Sequence, residues 1–354
     1  MKIFVSVAAY RDTELTKTID SLVKNAYDPK SLRVVVLSQD HPKKHPKFPQ
    51  FKNVEVIEMN FKEARGAGYA RKILMEQYKG ENFFFQIDSH MRFAKNWDAK
   101  LLHMMEQAQK DANTYKVILS QYPAPYTVHT GNRDYYPKND KDFWDRVSWT
   151  KVVSTWYGAW AGHRQEIDDK SKPYPSHTVL AGYLFAPGDF VKEIPYDERI
   201  TFMGEELCIA IRAYTRGWKI YAPNEMLLWH FYTRKDRPKV WTQMDDSMRE
   251  QKWNDLEMKS KSVQEQILRG NEQGIYGIGD KDKYLEYQEM IGIDFNKFYD
   301  RVMREKINKA VLTEELGPGD TKPLSGWCRG NEHTHCETKG CQCFCHDKKK
   351  KAKR

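Results

Sequence analysis

The sequence predicts an α/β layered domain on a mainly parallel sheet, followed by a helical extension and a small cysteine- and histidine-rich tail. Three observations carry this reading. Short apolar segments alternate with amphipathic ones through residues 2–121, the β-α-β rhythm of layered folds. The segment Leu32 to Ser38 is nearly all apolar, as in a strand covered on both faces of a parallel sheet. Of the 354 residues, 40% are hydrophobic and 13% aromatic, enough for a large core and against a disordered chain.

The elements follow in order. Lys2 to Ala9 is a Val- and Phe-rich strand. Asp12 can cap a helix running to about Asn25, with Leu15, Ile19, Leu22 and Val23 on one face, ended by Asp28-Pro29. Leu32 to Ser38 is the second strand, and Gln39 to Phe51, rich in Pro, Lys and His, is a loop. Val54 to Met59 is a strand, Gly66 to Tyr78 a helix, and Asn82 to Ile87 a strand ending at Asp88. Asp98 to Ala112 is helical and Val117 to Gln121 a strand. From Tyr122 to Ser176 periodicity dissolves into a stretch rich in Pro, Trp and Tyr, the composition of a binding wall or lid. It returns at Thr178 to Phe185. A helix runs from Glu205 to Arg216, with Gly217 in the C-cap place. Strands follow at Trp218 to Ala222 and Met226 to Tyr232, and helices over Val240 to Arg269 and Asp294 to Val311. Gly317-Pro318-Gly319 is a linker. Domain bounds are therefore expected at 1–240, 241–316 (the extension), 325–346 (the Cys/His module) and 347–354 (the basic tail).

No apolar run approaches the ~20 residues that span a bilayer, and the first residues lack a cationic stretch leading into a long apolar one. The expectation is a cytoplasmic protein with no membrane partner. The net charge is +9, and Lys348 to Arg354 carry six positive charges, so the body is only mildly basic. Such a run is a solvated tail or a weak contact to nucleic acid. Five of six cysteines lie between Cys328 and Cys345. With Cys328, His333, His335, Cys336, Cys341, Cys343, Cys345 and His346, eight possible ligands fall within 19 positions. That grouping reads as structural Zn²⁺ in a chain with no secretory signal, on a spacing that matches no standard finger. Cys208 stands apart as a small buried hydrophobe.

Four further segments carry chemistry. In Gln86-Ile87-Asp88-Ser89-His90, side chains two apart on an extended backbone point the same way. Asp88 and His90 can therefore converge on one cation at the carboxyl edge of a strand, where open α/β sheets bind ligands. A carboxylate with an imidazole suits Mn²⁺ or Mg²⁺, which neutralises charge on a departing nucleoside diphosphate. Alone, an Asp-x-His tripeptide reads equally as a surface turn. Phe202-Met203-Gly204-Glu205-Glu206 opens a helix, where acids favour the dipole and can be purely structural. Trp229-His230 is an aromatic strand whose histidine is either packed or ligating. Arg65-Gly66-Ala67-Gly68-Tyr69-Ala70-Arg71 leads a glycine turn into a helix, exposing N–H groups to an anion or packing closely against a neighbour.

Taken in order with Ala8-Ala9-Tyr10-Arg11 and Met91-Arg92-Phe93, these segments resemble the polypeptide α-N-acetylglucosaminyltransferases over residues 1–240. The layout is similar to that of the polypeptide N-acetylgalactosaminyltransferases. The resemblance implies a GT-A (Rossmann-like, nucleotide-sugar-binding) fold and a retaining transfer from a UDP-sugar donor. It implies Asp88, His90 and His230 as metal ligands, and Ala8, Arg11, Arg65, Arg71, Asp88 and Gly182 at the donor. Glu205 or Glu206 would face the donor sugar or the acceptor hydroxyl as the catalytic carboxylate. The expected acceptor is a macromolecule, a Ser, Thr or hydroxyproline hydroxyl of a protein. The alternatives are a hydroxylated base in DNA, reached through the basic tail, and a non-catalytic binding protein of the same fold.

Overall fold

The computed structural model describes residues 1–129, 133–135, 148–154, 160–167, 169–233, 238–240 and 251–304. The strands are β1 Ile3–Tyr10, β2 Leu32–Asp40, β3 Val54–Asn60, β4 Phe83–Asp88, β5 Met91–Phe93, β6 Val117–Ser120, β7 Ala124–Pro125, β8 Thr127–His129, β9 Arg133–Tyr135, β10 Ser148–Ser154, β11 Trp160–Glu166, β12 Tyr174–Pro175, β13 Tyr183–Pro187, β14 Lys219–Ala222 and β15 Leu228–His230. The helices are α1 Leu15–Lys24, α2 Ala67–Met75, α3 Trp97–Ala112, α4 Phe190–Glu193, α5 Glu205–Tyr214, α6 Trp253–Leu268 and α7 Lys281–Ile291.

Eight strands form one sheet in the order β12-β14-β6-β13-β4-β1-β2-β3. The β4-β1-β2-β3 half is parallel, in register Val5↔Val34 and Val5↔Phe85. In the other half β14 also runs parallel to β6, but β13 runs antiparallel to both β4 and β6, and β12 antiparallel to β14. The sheet is thus mixed, with four of its seven neighbouring pairs parallel, where a mainly parallel one was expected. The physical reason is that every residue of β13 is buried, so its apolar run looks like a parallel core strand whichever way it points.

Alternation along the strands splits the core. Val5, Val7, Val34, Val36, Phe85 and Ile87 pack with Leu15, Ile19 and Leu22 of α1 and with Trp97, Leu101 and Met104 of α3. The opposite face carries Phe4, whose ring meets Phe84, which stacks on Phe190 of α4, which meets Trp218 edge-on. Burying one such phenyl ring contributes roughly 1.5–3 kcal/mol. Both faces of the sheet are therefore sealed, and its carboxyl edge is left to line a site.

A three-stranded sheet caps that edge. β15 pairs antiparallel with β5 in register His230↔Met91 and Trp229↔Arg92, and parallel with β7. This register brings His230 beside His90 across 140 residues of sequence.

Residues 1–152 and 162–291 form one compact unit. Helices α6 and α7 lie in this unit. From α6, Ser260 Oγ accepts the Thr201 N–H at 3.1 Å and Gln264 Nε2 donates to the Met203 carbonyl at 2.6 Å. Of the described residues, 153–154, 160–161 and 292–304 fall in a second unit, with a helix over 295–304. The Cys/His module and the basic tail lie outside the described residues. Among the described residues, no helix is long and apolar enough to cross a membrane.

Candidate metal and donor site

β4 ends at Asp88, opposite Ala8 on β1, and the chain turns through Ser89 to His90 before entering β5. Asp88, His90 and His230 each offer one ligand atom, and the three atoms lie within 4.8 Å of one another. The Nε2 atoms of His90 and His230 face each other at 2.9 Å, with Asp88 Oδ2 at 3.9 and 3.1 Å from them. Two imidazole nitrogens that close need a proton or a cation between them. Nitrogen and carboxylate oxygen together fit Mn²⁺ or a similar divalent ion, so the donor set passes the test a metal sets.

The shell behind the triad is built as carefully. Arg71 of α2 donates from Nη2 to Asp88 Oδ1 at 3.0 Å and pairs through Nη1 with Glu205 at the start of α5. Burial disfavours the Arg71 charge, but Glu205 and Asp88 outweigh it and hold the guanidinium firmly protonated. For Asp88, burial would raise the pKa, yet the hydrogen bond from His230 and the Arg71 charge hold it well below the usual carboxylate range. Asp12, after β1, accepts from His90 Nδ1 at 2.7 Å and from Ser89 Oγ at 2.8 Å. Burial opposes its ionisation, but the His90 hydrogen bond and charge bring its pKa down to about 2.

A cavity of about 320 Å³ opens in front of the triad. Ala8, Arg71, Asp88, His90, Gly182, Glu206 and His230 line it, so seven of the sequence-derived site residues converge. A Cβ on Gly182 would sit 2.8 Å from Asp88 Oδ2, so only glycine lets this loop pass the carboxylate at its observed position. Glu206 accepts the Ala181 N–H at 2.8 Å, and burial pushes its carboxyl up to about 7.

Three expected residues are placed elsewhere. Arg11 lies 3.9 Å from Asp40 and over the Phe61 ring, and Arg65 stacks on Tyr69; neither is among the cavity's lining residues. Glu205 sits behind Arg71, not on the wall. The glycine turn at α2 presents its first N–H groups to protein: Ala67 N donates to the Thr201 carbonyl at 2.6 Å, and Gly68 N reaches the same oxygen at 3.4 Å. Its glycines serve close packing, since a Cβ on Gly66 or Gly68 would fall 2.3 or 2.0 Å from the carbonyl oxygens of Thr201 and Ile200.

Sequence reasoning missed Asp12, Gln39, Tyr122 and Tyr232. Asp12 read as a helix cap, but Glu14 occupies that place, and Asp12 gives its other oxygen to the Glu14 N–H at 2.9 Å. Its position just past a parallel strand beside β4 was the available signal. Tyr122, Gln39 and Tyr232 line the cavity from loops and strand ends that carry no motif.

Comparison with known proteins fits this geometry. The family model described as Glycosyltransferase (GlcNAc) matches residues 2–52 and 41–304. No curated protein matches the chain. Among solved structures, GalNAc-T7 with UDP, GalNAc and Mn²⁺ aligns at a TM-score of 0.52 and 17% identity, over 87% of this chain and 58% of that one. The present chain thus spans less than two thirds of that relative. S. aureus TarS 1–349 in complex with UDP-GlcNAc aligns at a TM-score of 0.45 and 14% identity, over 75% of this chain and 67% of that one. The α/β fold with its mixed sheet resembles that of the GT-A glycosyltransferases. Matched from residue 2 to residue 304, the chain belongs to the Glycosyltransferase (GlcNAc) family.

Proposed function

We propose that the protein transfers N-acetylglucosamine, with retention, from a UDP-linked donor to a hydroxyl group, a Ser, Thr or hydroxyproline of a protein. The observation that carries this is the convergence of Asp88, His90 and His230 at one mouth of a 320 Å³ cavity in a chain of this family. The structural neighbour with UDP, GalNAc and Mn²⁺ supports a nucleotide-sugar donor and a metal. A divalent ion, Mn²⁺ or Mg²⁺, held by the triad supplies positive charge for a leaving diphosphate.

The chain's own groups do the rest. Arg71 fixes the orientation of Asp88 and adds a buried positive charge behind it. Gly182 leaves room beside the carboxylate for a donor. Among the described lining residues, Glu206 is the acid other than Asp88, and near neutral pH it exchanges between donor and acceptor of a hydrogen bond to a sugar or acceptor hydroxyl. Asp88 is tied to Arg71 and His230, which argues against its acting as nucleophile. Retention then favours attack from the face the diphosphate leaves, with a departing phosphate oxygen taking the acceptor proton. Subfamily membership among the polypeptide α-N-acetylglucosaminyltransferases, a zinc ion in the Cys328 to His346 cluster and a cytoplasmic site of action belong to this proposal.

The test is donor hydrolysis by purified protein with Mn²⁺ and a panel of UDP-sugars, followed by mass spectrometry of acceptor peptides. Slow turnover of UDP-GlcNAc above the other donors is expected. No hydrolysis and no binding of any donor would overturn the reading.

A further inference from the structure

Asp12 is a buried carboxylate whose two oxygens do different work. Oδ1 accepts the Glu14 N–H at 2.9 Å at the start of α1. Oδ2 accepts from Ser89 Oγ at 2.8 Å and from His90 Nδ1 at 2.7 Å. The side chain is 2% exposed, so water competes little with these contacts. One oxygen would suffice for a helix-start role. The other is spent on the two residues that follow Asp88.

The consequence for His90 is chemical. A carboxylate has no proton to give, so Nδ1 carries a proton, and in the neutral imidazole that a metal ligand must be, Nε2 then presents the lone pair. Nε2 is the atom that faces His230 Nε2 and Asp88 Oδ2. The segment is pinned from a second side as well: Thr18 Oγ1 of α1 donates to the Ser89 carbonyl at 2.8 Å and accepts the Met91 N–H at 2.9 Å. Ring rotation and backbone drift of His90 are both restrained from the β1–α1 segment. Ser89 also finds a purpose, since its hydroxyl sits 3.4 Å from His90 Nδ1 and shares the same Asp12 oxygen.

We propose that Asp12 is the positioning residue of the site, fixing His90 in the Nδ1–H tautomer so that its Nε2 lone pair is offered to a divalent cation. This rests on the metal reading of the triad given above. Outer carboxylates that orient a ligating histidine typically change metal affinity by about 10- to 100-fold when removed.

Asp12→Asn separates positioning from mere support, because it is isosteric. The Glu14 N–H still demands an oxygen, so the new amide turns its NH₂ toward Ser89 and His90. Nδ1 of His90 must then accept, and the ring proton moves to Nε2, where a cation needs the lone pair. The experiment uses the full chain in three forms: wild type, Asp12→Asn, and His90→Ala as the background for other cation sites. Mn²⁺ affinity is measured by calorimetric titration. The tautomer is read from ¹⁵N shifts of selectively labelled histidine in metal-free protein, with His90 assigned by its loss in His90→Ala.

The expected result is a 10- to 100-fold weaker Mn²⁺ affinity in Asp12→Asn, an unchanged melting temperature within a few degrees, and a switch of His90 from the Nδ1–H to the Nε2–H signature. Wild-type affinity in Asp12→Asn, or an Nε2–H signature already present in the wild type, overturns the proposal. If Asp12→Asn does not fold, Ser89→Ala serves in its place. It removes the competing donor on Oδ2 and should keep the Nδ1–H tautomer; an Nε2–H signature there refutes Asp12 as the controlling partner. Should wild type and His90→Ala bind Mn²⁺ equally, the metal reading fails, while the tautomer still decides what Asp12 does.

Discussion

Adding a single methyl group at Gly182 should disable the site without touching any ligand. A Cβ there would lie 2.8 Å from Asp88 Oδ2 and 3.2 Å from its Cγ. Ordinary contact begins near 3.4 Å, so the carboxylate must retreat by roughly half an ångström or the loop must move. Neither is easy. Asp88 is held through Oδ1 by Arg71 at 3.0 Å and through Oδ2 by His230 at 3.1 Å. The loop is held by the Tyr183 N–H to Leu180 carbonyl bond at 3.0 Å, and Gln86 Nε2 donates to the Ala181 carbonyl at 2.7 Å. Overpacking of this kind costs about 1–3 kcal/mol, and at 1.4 kcal/mol per decade that is about 5- to 150-fold in an equilibrium. Mn²⁺ titration and UDP-sugar hydrolysis of Gly182→Ala would measure it, with the melting curve as the control for folding. Affinity and hydrolysis within twofold of wild type, in a folded variant, would refute the claim that Asp88 is fixed where a ligand must be.

Further outcomes follow from the same geometry. Asp88→Ala should abolish metal-dependent donor binding; calorimetry with and without Mn²⁺ checks it, with a melting curve to establish that the variant, which loses one partner of the buried Arg71, is folded. Arg71→Met should do worse than lose activity: it leaves Glu205 buried without its partner, a loss on the order of 3–5 kcal/mol that denaturant titration would detect. Glu206 gives a pH signature. Its carboxyl rises from 4.5 to about 7 on folding, so the folded chain keeps a proton that the unfolded chain has released between those values. Its contribution to stability is full below pH 4.5 and falls by on the order of 3 kcal/mol as pH rises through 7, a slope that Glu206→Gln should flatten in melts between pH 5 and 8. Elemental analysis of the purified full chain should find zinc, lost on replacing Cys341 and Cys343 by serine.

Much of the fold was legible because β1, β2 and β4 are apolar and the amphipathic α1 and α2 fall between β1 and β2 and between β3 and β4. Their two-residue alternation survives in the observed core split between Val5 and Phe4. The direction of β13 was hidden by its complete burial. Helix α7 was missed because Lys281–Ile291 buries only Tyr284, Tyr287 and Ile291, too thin an apolar stripe to stand out. At the site, Asp88 and His90 announced themselves by their two-residue spacing at the end of a buried strand, although the chain bends between them. His230 needed the resemblance, because its place is set by the β5–β15 register, a contact between segments 140 residues apart. Arg11, from the end of β1, and Arg65, from the glycine turn, were expected at the donor; Arg11 lies over the Phe61 ring, Arg65 stacks on Tyr69, and the turn packs against the Thr201 carbonyl. Glu205 and Glu206 could not be separated by sequence. Only the helix start decides it, turning one toward Arg71 and the other toward the cavity.

Asp88, His90 and His230 are proposed to hold one divalent ion on a nucleotide-sugar diphosphate. Crystals grown with Mn²⁺ and UDP, with diffraction recorded at the manganese absorption edge, test it most directly. One anomalous peak is expected between Asp88 Oδ2 and the two histidine Nε2 atoms, next to the bound diphosphate. A peak elsewhere, with the two Nε2 atoms still facing each other across their 2.9 Å contact, would contradict it.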